Sequence, residues 1–208
     1  ALAAVLALLV AVRVLPFASV FRGPDVVLLS NDPYAYVYLV EHALREVSAT
    51  GLDAILGWDA EPLLIWTLAA VSVLVGGVDR VALVLAWYPV VTAVLSGLLV
   101  FVLARTVTDD VRVALTAVGA LAVTPIHVSR TALGFADHHA FDYLWLILTA
   151  TTLIWLLVRT DADRRRRWQG AVVLGVAIAG QTLSWQGSPL LLIPTAAAIG
   201  VTAPIVYR

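Results

Sequence analysis

Apolar stretches recur along the whole chain. Residues 81–104 and 113–128 contain no Asp, Glu, Lys or Arg, nor do 169–186 and 189–206, while 1–21 and 140–158 carry one each, Arg13 and Asp142. Roughly 20 apolar residues are needed for a helix to cross the hydrocarbon core of a bilayer. The pattern therefore predicts six membrane-spanning helices at those positions. A seventh apolar run, 62–77, has only 16 residues. It reads as a helix lying on the membrane or re-entering it. Two polar segments separate the early spans: a long loop at 22–80 and a short one at 129–139. The predicted fold class is all-α, a polytopic transmembrane helical bundle whose long first loop itself contains helices.

Composition supports that class. Hydrophobic residues make up 62% of the chain and charged residues 13%, about half the charge of an ordinary soluble domain. There is no cysteine, which excludes disulfide and thiol chemistry. A net charge of −1 gives no electrostatic footprint for nucleic acid. Arginine placement sets sidedness, because basic loops stay in the cytoplasm. Segment 159–167 holds five arginines and is expected inside. Counting back through the spans puts 129–139 and 22–80 outside. The long loop carries eight acids against three arginines, which suits the outer face. The seven tryptophans, Trp58 among them, fall mostly near span ends or in the long loop, as an interfacial aromatic belt would.

Chemistry concentrates in the two loops predicted to be external. In Ser30-Asn31-Asp32-Pro33-Tyr34, Asp32 reads as an N-cap with Pro33 at the first helical position. The same carboxylate can stand at the mouth of a site, and the two readings are compatible. The helix that follows presents Tyr34, Tyr38, His42 and Arg45 as a stripe, read as a packing or interfacial face. The second cluster runs from Arg130 to Asp137-His138-His139 at the mouth of a span. Ionisable groups at a membrane boundary are costly unless solvated, paired or metal-bound. A helix would splay Asp137 and His139 by roughly 200°, so convergence requires a turn, which Gly134 permits. Asp32, Asp137 and His139 together would offer two carboxylates and one imidazole, a mixed set suited to Mn²⁺ or Mg²⁺. His138 and Asp142, four apart, share a helix face and can steady the ligands. Arg130 can grip a phosphate, pair with Asp137 or lie among lipid headgroups. The bland reading of the cluster is a wet polar anchor for the helix end. His127, near Pro125, reads as a helix-end residue. The polar break 181–189 is either a tight turn or a cavity lining.

These motifs resemble the catalytic subunit of oligosaccharyltransferase, most of all its archaeal members. Asn31-Asp32-Pro33-Tyr34 matches the first external loop. Arg130, seven residues before Asp137-His138-His139, matches the archaeal Asp-x-His form of the second. Ser184-Trp185-Gln186-Gly187 matches a later turn. The order of loops and spans agrees over the chain. The resemblance implies a membrane glycosyltransferase of the C type. It implies a divalent metal held by Asp32, Asp137 and His139, with Arg130 binding substrate and Asp32 and Asp137 catalytic. It also implies a polyprenyl- or dolichyl-linked oligosaccharide donor, an Asn-x-Ser/Thr acceptor in a protein or peptide, and a prokaryotic plasma membrane with the site on its outer face. The family's glutamate in a later external loop and its soluble domain with a Trp-Trp-Asp-Tyr-Gly motif lie beyond residue 208. The chain is thus expected to be the N-terminal part of a larger enzyme, inactive alone. Three alternatives remain: another polyprenyl-phosphate-sugar transferase, an ion-coupled transporter, and a degenerate, non-catalytic membrane scaffold. A transporter would place its ionisable groups mid-span; here they sit at span ends.

Overall fold

The computed structural model describes residues 1–51 and 61–206, and Trp58 lies outside them. Helices account for nearly all of the regular structure: α1 (Leu2–Arg13), α2 (Phe17–Val20), α3 (Asp32–Thr50), α4 (Pro62–Val75), α5 (Val81–Val107), α6 (Val111–Val123), α7 (Pro125–Arg130), α8 (His138–Val158), α9 (Arg164–Ser184) and α10 (Pro189–Val206). A two-residue antiparallel ladder, β1 (Phe21–Arg22) with β2 (Asp25–Val26), is the one strand pairing among the described residues.

Two of the six predicted spans appear as helices long and apolar enough to cross a bilayer, Val78–Val107 and His138–Val158. Backbone chemistry shortens others. The run 1–21 divides into α1 and α2 around a turn at Pro16. The run 113–128 breaks between α6 and α7 at Thr124, whose extended ψ of 116° is the conformation a following proline imposes. The 62–77 run forms the 14-residue α4. At 1.5 Å per residue that is about 21 Å, short of the roughly 30 Å hydrocarbon core.

Helix α8 is the centre of the bundle, packed between α5 and α9, while α6 joins α5 to α1. The main core gathers Leu64, Ile65 and Leu68 of α4 with Val81 and Leu85 of α5, Val40 of α3 and Phe141 of α8. On α3 the buried face is Pro33, Tyr36, Val40 and Ala43. The stripe of Tyr34 and Tyr38 lies on the other side, 49% and 62% exposed. This packing brings the N-termini of α3, α4 and α8 and the turn between α9 and α10 to one end of the molecule, where they line a common cavity.

Candidate metal centre

Asp32 is the first residue of α3, and Asn31, not Asp32, occupies the cap position. The helix starts one residue earlier than the sequence suggested because Asn31 already has helical φ and ψ, −75° and −41°. Asp32 therefore sits inside the first turn, where a negative charge is favoured by the helix dipole, and its side chain lines the cavity.

Asp137 is the cap of α8. Its backbone is extended, with φ −147° and ψ 159°, and its carboxylate accepts the His138 N–H at 2.7 Å. This corner lets Asp137 and His139 face each other despite their two-residue spacing. Gly134, at φ +82°, makes the preceding turn. Asp137 Oδ1 lies 2.7 Å from His138 Nδ1, while Oδ2 lies 3.5 Å from His139 Nε2 and 3.8 Å from an Arg130 nitrogen. The Tyr88 hydroxyl donates to the Asp137 carbonyl and so pins its backbone to α5. Ligand-capable atoms of Asp137, His138 and His139 all lie within 4.8 Å of one another.

The two histidines are held differently. His138 is committed on several sides: Asp137 and the Tyr36 hydroxyl (3.3 Å) at Nδ1, Asp142 at 3.6 Å from Nε2, and the Trp185 ring stacked 5.1 Å away. Gln181 approaches Asp142 at 3.5 Å. The 3.5 Å between His139 Nε2 and Asp137 Oδ2 is longer than a normal hydrogen bond. Burial alone would raise the Asp137 carboxyl; the hydrogen bond and charge of His138, with the charge of His139, outweigh it and keep the group below its usual value. An ionised carboxylate beside an imidazole is a donor pair that fits a divalent cation.

The cavity, about 590 Å³, is lined by Asp32, Glu61, Arg130, Asp137, His138 and His139, together with Gln186 from the turn after α9. All four positions predicted to bind metal or substrate thus share one cavity, but the atoms within 4.8 Å of one another belong to Asp137, His138 and His139 and not to Asp32. Arg130 also lies over the Phe135 ring, 5.3 Å from its centre. A separate cavity of about 420 Å³ between α4, α5 and α8 is lined chiefly by apolar side chains such as Leu68, Val71 and Val91, so the acid–base chemistry belongs to the first.

Sequence reasoning missed Glu61 and Tyr36. Glu61 precedes α4 in a left-handed conformation, φ 47°, and accepts the Tyr36 hydroxyl at 2.7 Å. Tyr36 was recoverable, since it lies one turn after Asp32; Glu61 had no such signal. Trp185, in the polar break read as a tight turn or a cavity lining, packs on the site histidine.

Residues 58–207 match the family model described as Oligosaccharyl transferase STT3, N-terminal. The chain belongs to this family. Among curated relatives, dolichyl-phosphooligosaccharide-protein glycotransferase 2 of Archaeoglobus fulgidus is 25% identical over 187 residues, covering 86% of this chain and 29% of the relative. The Archaeoglobus fulgidus oligosaccharyltransferase tethered to an acceptor peptide containing the NVT sequon superposes with a TM-score of 0.80 at 25% identity, covering 95% of this chain and 25% of that one. The same enzyme in complex with Zn and sulfate gives 0.77 at 25% identity, covering 91% and 25%. The STT3-family chain described here thus spans less than a third of the length of these proteins.

Proposed function

We propose that this chain is the N-terminal, multi-pass membrane part of an N-glycosylation enzyme. The whole protein would transfer an oligosaccharide from a dolichyl or other polyprenyl phosphate or diphosphate to the asparagine nitrogen of Asn-x-Ser/Thr, on the outer face of a prokaryotic plasma membrane. The observation that carries the reading is that Asp32 lines the same cavity as Asp137, His138 and His139, although 105 positions separate the two aspartates (137 − 32).

In this reading Asp32, Asp137 and His139 hold Mn²⁺ or Mg²⁺, His138 and Asp142 orient the ligands, and Arg130 receives the carrier phosphate. Oxygen donors with a single imidazole suit those cations, and a similar solved structure is a complex with Zn and sulfate. A divalent cation there supplies Lewis-acid stabilisation of the charge developing on the leaving phosphate, worth several kcal/mol. Arg130 adds a fork of donors that matches phosphate oxygens. Asp32 accepts an N–H of the acceptor amide, which weakens the conjugation that makes amide nitrogen a poor nucleophile.

The test is transfer of a lipid-linked glycan to a sequon peptide by the full-length protein. Chelation should abolish transfer and Mn²⁺ should restore it. Asp32→Ala and Asp137→Ala should each lower the rate by at least about 100-fold, the scale of losing preorganised charge stabilisation. Transfer near the wild-type rate in chelator, or in either variant, would refute the assignment.

A further inference from the structure

Arg13, the last residue of α1, is wholly buried, at 0% exposure, in an otherwise apolar helix. Its side chain reaches across to the break between α6 and α7. Pro125 has no N–H to offer the Leu121 carbonyl four residues earlier, and the extended Thr124 ends the helix there. The Arg13 guanidinium takes over: it donates to the Leu121 carbonyl at 3.1 Å and to the Ala122 carbonyl. A cation at a helix C-terminus also meets the favourable end of the dipole. Two more donors go further along the chain, to Thr131 Oγ1 at 3.1 Å and His127 Nδ1 at 2.6 Å. A guanidinium only donates, so His127 Nδ1 accepts and its proton lies on Nε2. The Arg13 carbonyl in turn accepts the Leu133 N–H at 2.9 Å.

This grip leads to the site along two routes. Through the backbone, Thr131 and Leu133 flank the turn that carries Arg130 on one side and Asp137 on the other. Through side chains, the His127 ring lies 5.2 Å from that of Tyr143, which stacks on His139 at 6.5 Å. No other charged side chain among the described residues is fully buried. A buried guanidinium is tolerated only when its donors are matched, and here four of the five partners belong to segment 121–131, the fifth being the Leu9 carbonyl one turn back in α1 at 3.5 Å.

We propose that Arg13 is a positioning residue for the second loop: clamped on Leu121, Ala122, His127 and Thr131, it fixes the path of residues 124–137 so that Arg130, Asp137 and His139 converge. Its metal readout rests on the reading above; its backbone readout does not. The experiment uses full-length protein and three variants, Arg13→Gln, His127→Leu and His127→Asn. Asparagine keeps an acceptor near the place of Nδ1, and leucine removes it. Hydrogen exchange is followed in metal-free protein, and Mn²⁺ binding by electron paramagnetic resonance. Arg13→Gln should speed exchange in 131–137 by at least about tenfold while α5 peptides keep their wild-type rates, marking a local rather than a global opening. It should raise the half-saturating Mn²⁺ concentration by about 10–100-fold, the scale for losing support of a metal ligand. His127→Leu should shift both in the same direction, and His127→Asn should restore them. Wild-type exchange in 131–137 for folded Arg13→Gln would overturn the proposal. If Arg13→Gln does not fold, identical behaviour of the two His127 variants overturns it. Absence of Mn²⁺ binding by the wild type would sink the metal centre instead, and exchange alone would then decide the role of Arg13.

Discussion

Glu61 and Tyr36 form a half-buried acid–donor pair at the edge of the cavity, and its balance can be tested with pH. Burial raises the Glu61 carboxyl above its ordinary value, and the repulsion of Asp137 adds to this, against the opposing pull of the Tyr36 hydrogen bond and of His138. The Tyr36 phenol is itself pushed upward by burial and by Glu61, so it stays a donor. An acid that holds its proton more tightly when folded adds stability fully below its unfolded value. That stability is lost as pH rises through the folded value. Glu61→Gln keeps an acceptor for Tyr36 and removes the titration. The stability difference, variant minus wild type, should therefore move in favour of the variant as pH rises above about 4, near the free carboxyl value. Thermal unfolding in detergent at several pH values measures it; a difference that moves the other way would show that Glu61 is stabilised by its charge.

At the scale of elements, Gly134 is the joint where three pieces of chain meet. Its N–H donates to the Ala86 carbonyl of α5 and its carbonyl accepts the Leu29 N–H, at 2.9 and 3.0 Å. A Cβ there would stand 2.6 Å from Val20 Cγ2, a side chain with no exposure, at a φ of +82°. Gly134→Ala should cost at least about 1–2 kcal/mol for the left-handed backbone alone, with the clash added. It should also weaken Mn²⁺ binding, because Asp137 follows three residues later. Calorimetry and a Mn²⁺ titration on the same preparation check both, and an unchanged affinity in the folded variant would separate the turn from the site. This joint shows where sequence reading reached its limit. Gly134 was legible as a turn, and Asp137-His138-His139 as a cluster, because both signals are local. The helix start at Asp32 was legible to within one residue. The break of 113–128 was hinted at by Thr124-Pro125. What holds that break was invisible: Arg13 lies 109 positions before Ala122, and nothing local in α1 announces a partner so far away. Glu61 was hidden for the same reason, since its partner Tyr36 is 25 positions earlier.

For the whole molecule, the decisive arrangement is the separation of the acidic site from the arginine-rich turn. The site lies at the N-terminus of α8, and Arg159 and Arg164–Arg167 follow its C-terminal end. Helix α8 has 21 residues, about 31 Å at 1.5 Å per residue, which matches the hydrocarbon thickness. If α8 crosses the bilayer, its two ends face opposite compartments, and the basic end belongs inside. The described chain has no cysteine, so single replacements report position directly once the full-length protein is cleared of any other. Ser129 and Asp161 are both exposed and flank the two ends. In intact cells a membrane-impermeant maleimide should label Ser129→Cys and leave Asp161→Cys unmodified until the membrane is permeabilised. In the proposed reaction the lipid-linked donor and the acceptor peptide would both meet the protein on the Ser129 side. Labelling of both positions from outside would mean that α8 does not cross, and labelling of Asp161→Cys alone would invert the molecule; either result would remove the outer-face site while leaving the geometry of Asp137 and His139 to be explained by another reaction.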